Sequence, residues 1–192
     1  MIHSTAAVST EAKIGAGTQV WNEAQVRERA VVGSGCVIGK GVYIDRDVVV
    51  GDRCKIQNRA SLYRGLTVGD GVYIGPHVSF TNDRYPRAVN VDGSAKSDDE
   101  WKLEPTFVLE GASIGAGAVI LPGLTIGRWA MIGASALVTR DVPDHALVIG
   151  KPGRLVGHAC KCGRTLKQDG EVWRCPACDA TFTFEKDEAS VE

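Results

Sequence analysis

Apolar residues recur along this chain every six positions. From Val8 the steps fall on Ile14, Val20, Val26, Val32, Ile38, Ile44, Val50, Ile56, Leu62, Val68, Ile74 and Phe80, thirteen apolar stops in succession. Two positions before each stop lies a second set, mostly small or β-branched: Ala6, Ala12, Thr18, Ala24, Ala30, Cys36, Val42, Val48, Cys54, Ala60, Leu66, Val72 and Val78. The pattern breaks after Phe80. It resumes at Val108 and runs through Ile114, Ile120, Ile126, Ile132 and Val138, with Thr106, Ala112, Ala118, Leu124, Ala130 and Ala136 as partners. Neither the helical period of about 3.6 nor the strand period of about 2 accounts for this spacing. Six residues describe one short strand followed by one turn. Positions i−2 and i of a strand face the same way, so both sets point inward. Three strands close a triangular coil, and stacked coils form a parallel β-helix. The expected fold class is therefore all-β, with nineteen repeats making about six coils. Gly follows many of the apolar stops (Gly15, Gly33, Gly39, Gly51, Gly69, Gly75), which suggests turns that need positive φ.

Residues 81–105 interrupt the period with a polar stretch holding two prolines and six acidic residues. A long irregular loop inside a compact repeat fold is usually functional or disordered. Cys36 and Cys54 fall on inward positions and read as small core fillers. Net charge is −1 over 192 residues, which gives no basic footprint for nucleic acid. No apolar run is long enough to span a membrane, and the first residues lack a basic region followed by an apolar one. A cytoplasmic setting is expected.

After Gly157 the composition changes. Cys160-x-Cys162 and Cys175-x-x-Cys178 are separated by twelve residues, about one hairpin. Without a secretory signal, such pairs point to a four-thiolate metal site more than to disulfides. Trp173 and Phe182 would cover a core too small to hold without metal. The segment resembles a zinc ribbon with a structural Zn2+. The C-x-C pair departs from the usual C-x-x-C, which leaves His158 as an alternative ligand. Iron is the second choice and a redox disulfide the third. The expected organisation is a β-helix over 1–156, a ribbon over 157–184 and a solvated tail over 185–192.

The repeats, together with residues 142–153 (Val142-Pro143-Asp144-His145-Ala146-Leu147-Val148-Ile149-Gly150-Lys151-Pro152-Gly153), resemble the hexapeptide-repeat acyltransferases. That resemblance implies a left-handed β-helix, acetyl-CoA as donor, and a homotrimer with active sites between subunits. Gly75-Pro76-His77-Val78-Ser79-Phe80-Thr81-Asn82-Asp83-Arg84-Tyr85-Pro86-Arg87, with the preceding Lys55–Tyr63 segment, is similar to the branch that acetylates amino sugars linked to UDP or dTDP. An N-acetyltransferase serving surface-polysaccharide assembly is implied.

The site residues follow from the chemistry such a reaction needs. A sugar hydroxyl needs a general base, usually His, and residues 78–105 contain none. An amine needs mainly positioning and oxyanion stabilisation. Asn82 is the candidate for positioning the amine, and Asp83 for accepting a proton or holding a sugar hydroxyl; both are also good turn residues. Arg84 and Arg87 are candidates for clamping a diphosphate or carboxylate. Asn58, Tyr63 and His77 are weaker substrate candidates at neighbouring turns. By resemblance, the pantetheine arm of coenzyme A would lie along Gly115, Ala116 and Ala134, with Lys151 and Arg154 near its phosphates. Three other readings compete. A sugar or serine O-acetyltransferase would have to use His77. A γ-class carbonic anhydrase needs three zinc-binding His on neighbouring coils, and the chain's four (His3, His77, His145, His158) do not supply them. A non-catalytic β-helix with a ribbon as binding knob would not bind coenzyme A.

Overall fold

The computed structural model describes residues 1–98 and 100–184; the tail expected at 185–192 lies outside the described residues. Among those described, the chain forms twenty-four short strands and no helix, hence none long and apolar enough to cross a membrane. Successive strands take turns on three walls. The first wall stacks Ala7–Val8, Gln25–Val26, Tyr43–Ile44, Ser61–Leu62, Ser79–Phe80, Val119–Ile120 and Leu137–Val138. The second runs from Lys13–Ile14 to Thr125–Ile126 in six strands. The third begins at Gln19–Val20 and reaches Ala146–Ile149, where Arg154–His158 adds an eighth, antiparallel strand. All other wall pairings are parallel, with partners eighteen residues apart before the insertion: Gln25 pairs with Tyr43, Tyr43 with Ser61, Ser61 with Ser79. The result is a parallel β-solenoid. The nineteen repeat strands divide seven, six and six among the three walls, which is six coils and one further strand, Leu137–Val138.

Both predicted inward sets fill the axis. Val20, Ile38, Ile56, Ile74, Ile114 and Ile132 are essentially inaccessible, as are Ala24, Ala60, Ala112 and Ala118 beside them. A side chain of this size gains roughly 1.5–3 kcal/mol on full burial, and the repeat supplies one per strand. Thr18, Cys36 and Cys54 form a column at one inner corner. Thr18 Oγ1 donates to the Gly33 carbonyl (2.6 Å), Cys36 Sγ to Gly51 (3.2 Å) and Cys54 Sγ to Gly69 (3.1 Å). The two cysteines therefore fill space and also satisfy carbonyls that turn inward.

The glycine expectation needs correcting. Gly15, Gly33, Gly51, Gly69 and Gly75 are not the positive-φ residues of their turns. That conformation belongs to the third residue after most apolar stops: Gly17, Gly35, Gly41, Gly71, and also Asp47, Arg53, His77 and Ser135. The first-position glycines are required by close approach between coils. A Cβ on Gly51 would lie 2.8 Å from the Gly69 carbonyl carbon, and one on Gly75 would lie 2.7 Å from the Ala116 nitrogen. The two glycine classes should therefore respond differently to alanine. Gly71 (φ +64°) has open space around it, so Gly71→Ala should cost about 1 kcal/mol of backbone strain. Gly75→Ala must push two coils apart and should cost about 3 kcal/mol. Urea titration of both variants checks this, and equal losses would contradict the close-approach account.

Candidate functional site

The insertion leaves the solenoid after Phe80, where the first wall turns into the second, and returns at Thr106. Turns along this edge stack every eighteen residues. One column holds Arg27, Asp45, Tyr63 and Thr81; the next holds Glu28, Arg46, Arg64 and Asn82. The insertion folds back over them and closes a polar pocket lined by Arg27, Asp45, Arg46, Arg64, Asn82, Asp98 and Trp101.

Asp45 organises this pocket. Its side chain is mostly buried and receives four donors. Tyr43 Oη donates to Oδ1 (3.0 Å), and the Arg46 N–H donates to the same oxygen (2.8 Å). The Arg64 N–H donates to Oδ2 (3.2 Å), and the Arg27 guanidinium lies 3.5 Å away. Arg27 also donates to Tyr43 Oη (3.4 Å) and pairs with Glu28 (3.0 Å). Burial raises the Tyr43 hydroxyl above its ordinary pKa, so it remains a neutral donor at physiological pH. The Tyr63 ring lies 5.6 Å from that of Tyr43. Asn82 is half-buried and donates through Nδ2 to the Arg64 carbonyl (3.4 Å), which leaves Oδ1 as the acceptor end of the amide.

The predicted site residues thus separate into groups. Tyr63 and Asn82 share the first–second edge. Asp83 Oδ1 accepts the Tyr85 N–H (2.8 Å), an Asx turn at the start of the loop. Arg84 fastens the base of the insertion, donating to Glu104 (2.8 Å) and to the Pro122 carbonyl (2.6 Å). Arg87 is exposed and donates to the Pro86 carbonyl (3.0 Å). Neither arginine lines the pocket. Asn58, His77, Gly115, Ala116 and Ala134 lie on the opposite edge of the first wall. There Asn58 Oδ1 accepts the Lys40 N–H (2.9 Å), and His77, at φ +58°, donates its N–H to the Asn58 carbonyl (3.0 Å). Lys151 and Arg154 are exposed beside the last coil, where Arg154 borders a cleft with Arg140, Asp141 and Pro143. Linear reading missed Arg27, Asp45, Arg46, Arg64 and Trp101. Stepping back by eighteen from Asn82 would have found Arg64 and Arg46.

The second candidate site lies in the C-terminal module, a three-stranded antiparallel sheet of Lys167–Asp169, Val172–Arg174 and Thr181–Phe182. The sulfurs of Cys160, Cys162, Cys175 and Cys178 all lie within 4.8 Å of one another. Three of the separations are 3.5, 3.6 and 3.9 Å. A tetrahedral centre with Zn–S bonds of about 2.3 Å places sulfurs about 3.8 Å apart, so the donor set fits zinc. The Ala177 N–H draws the Cys175 thiol down to about 6, whereas burial pushes Cys160 up to about 12. A dication bound among them favours the thiolate at each position. His158 lies outside the cluster. Its ring stacks on Phe184 (4.0 Å between centroids) and meets Trp173 edge-on (4.6 Å). His145 Nδ1 donates to the Ala159 carbonyl (2.8 Å), and its ring packs on Phe182 (4.8 Å), which joins the module to the last coil.

Residues 11–46 and 47–82 match the family described as bacterial transferase hexapeptide (six repeats). These matches cover 72 of the chain's 192 residues, 36 in each of the two segments. One relative is a dTDP-3-amino-3,6-dideoxy-alpha-D-galactopyranose 3-N-acetyltransferase of Aneurinibacillus thermoaerophilus. It is 53% identical over 62 residues, 32% of this chain and 32% of the relative. A serine acetyltransferase of Bacillus pumilus is 43% identical over 70 residues, 36% of this chain and 31% of the relative. The chain thus matches about a third of the length of these curated relatives. Among solved structures, AntD, an N-acyltransferase from Bacillus cereus solved with dTDP and coenzyme A, superposes with a TM-score of 0.55. It is 17% identical and aligns over 82% of this chain and 79% of AntD. That likeness is one of fold.

Removing the Asp45 carboxylate should loosen this edge. Asp45→Ala leaves Tyr43 and two N–H donors unsatisfied and should cost about 2 kcal/mol. Asp45→Asn should retain part of that. Thermal denaturation of the two variants, compared with wild type, reads the difference.

Proposed function

We propose that this chain is an acetyl-CoA-dependent N-acetyltransferase acting on the amino group of a UDP- or dTDP-linked amino sugar. The observation that carries this reading is the pocket around Asn82. It holds an amide acceptor and several guanidinium groups, and no histidine is among the described residues of the same chain that line it. A hydroxyl acceptor would need a base at that place, whereas a neutral amine already carries its nucleophilic lone pair. In this reading Asn82 Oδ1 accepts a hydrogen bond from the amine and directs its lone pair at the thioester carbonyl. The C–N bond forms as the carbonyl becomes a tetrahedral oxyanion. The C–S bond then breaks, coenzyme A leaves as thiolate, and the proton lost by nitrogen restores its thiol. By its name, the Aneurinibacillus relative performs such a transfer on a dTDP-linked 3-amino sugar.

The donor's pantetheine arm is assigned to the edge that carries Gly115, Ala116 and Ala134, with Lys151 and Arg154 meeting its phosphates. In one chain this edge is separated from Asn82 by the full width of the first wall. In a homotrimer the donor edge of one copy would meet the Asn82 edge of the next. Val31, Val49 and Phe107 form a partly exposed apolar stripe on the second wall that a neighbouring copy would cover. Zinc held by Cys160, Cys162, Cys175 and Cys178 serves as a structural ion, since four protein thiolates complete its coordination. Reduced thiols and nucleotide-linked substrates fit a cytoplasmic enzyme without a nucleic-acid or membrane partner.

Two experiments test this. In a thiol-release assay with acetyl-CoA and a panel of UDP- and dTDP-linked amino sugars, one amino sugar should turn over and its hydroxyl counterpart should not. Asn82→Ala should lower kcat/KM about 100-fold. Silence across the panel without coenzyme A binding would overturn the enzyme reading in favour of a scaffold. Separately, metal analysis should find one zinc per chain. In a thiol titration the four ribbon cysteines should react after chelation, and Cys36 and Cys54 only in denaturant.

A further inference from the structure

The three arginines of the pocket are held differently. Arg27 is engaged within the solenoid by Tyr43, Glu28 and Asp45. Arg64 lies 3.8 Å from Asp47, which is held more closely by Arg29 at 2.7 Å. Arg46 reaches out of the solenoid. Its N–H is fixed by Asp45, but its guanidinium meets Asp98 of the insertion at 3.1 Å, across 52 residues of sequence. The two partners differ in setting. The Arg46 side chain is 33% exposed and the Asp98 side chain 80%. The cation is therefore partly shielded by the coil that carries it, while its anion is solvated and carried on the insertion. Releasing such an anion to water costs little, and it frees the Arg46 guanidinium to take another. Planar guanidinium groups suit phosphate and carboxylate oxygens bidentately, and Trp101 lines the same pocket.

We infer that Arg46, with Arg64 and Trp101, binds an anionic group of the acceptor substrate, a phosphate or carboxylate, and that Asp98 is the internal anion which this group displaces. The inference rests on the acceptor reading of the same pocket and names the part of the acceptor that is recognised there. It also moves anion recognition away from Arg84 and Arg87, since Arg84 is engaged by Glu104 and Pro122.

Calorimetry on the full zinc-loaded chain tests the exchange, with UDP, inorganic pyrophosphate, glucuronate and coenzyme A as separate probes. Removing the competing charge in Asp98→Asn should tighten binding of the anionic probe about twofold to fivefold, the range expected for an exposed ion pair. Arg46→Gln should weaken it about tenfold or more. In the double variant the gain from Asp98→Asn should vanish, because nothing remains for Asp98 to neutralise. Arg46-dependent binding of UDP and pyrophosphate would identify the anion as the nucleotide diphosphate; Arg46-dependent binding of glucuronate would identify it as a sugar carboxylate. The inference is overturned if Asp98→Asn weakens binding or leaves it unchanged, if its gain survives in the Arg46→Gln background, or if coenzyme A is the probe that depends on Arg46. Failure of the two proposals can be told apart. Acetyl transfer that depends on Asn82 but ignores Asp98 and Arg46 removes this inference alone. Arg46-dependent UDP binding without acetyl transfer removes the activity and leaves the anion site standing.

Discussion

The structure depends on the hydrogen bonds that each coil makes to the next. Tyr43 N–H donates to the Ala60 carbonyl and Lys55 N–H to Val72, each at 3.0 Å, and the same step recurs along every wall. It fixes a vertical register in which a residue lies over the one eighteen positions earlier. The register survives the insertion intact. Ser79 pairs with Val119, forty positions on rather than eighteen, so twenty-two extra residues enter without shifting any strand above them. The solenoid behaves as a ruled frame, and the insertion is attached to one of its edges.

That register also builds the pocket. No local segment brings Arg46, Arg64 and Asn82 together; they meet because each occupies the same place in its own coil. Asp45 joins two of these levels, accepting from the N–H of Arg46 in its own turn and of Arg64 in the next. Elsewhere Asp52, Asp70 and Asn58 make the same kind of connection, each accepting an N–H from the coil before. Short acceptor side chains at turns are therefore part of the stacking; Asp45 differs in accepting from the coil after it rather than the one before, and its edge also carries arginines.

Most of the fold was legible in the sequence, because a six-residue period over so many stops has few physical explanations. The role of the glycines was misread. Sequence shows where glycine recurs but not whether conformation or space demands it, and only the contacts around Gly51 and Gly75 separate the two. The four-cysteine cluster was legible from cysteine spacing, while the aromatic setting of His158 was not, since Phe184 reaches it only through the folded sheet. At the candidate site, Asn82 and Tyr63 stood out by motif. Arg46 and Asp45 did not, because a linear reading looks beside Asn82 and their proximity is vertical. Arg84 drew attention as a charged loop residue, yet its guanidinium ties the loop to the frame.

The strand Arg154–His158 runs against the grain of the third wall. A stack of parallel coils has no inherent last member, for each finished coil presents the template on which another can form. A strand laid down in reverse spoils that template on its wall, and the aromatic seam of His145, Phe182 and Phe184 lies beside it at the last coil. Seen this way, the reversed strand acts as a chain terminator for a one-dimensional crystal, and sets the length of the molecule as much as any repeat within it.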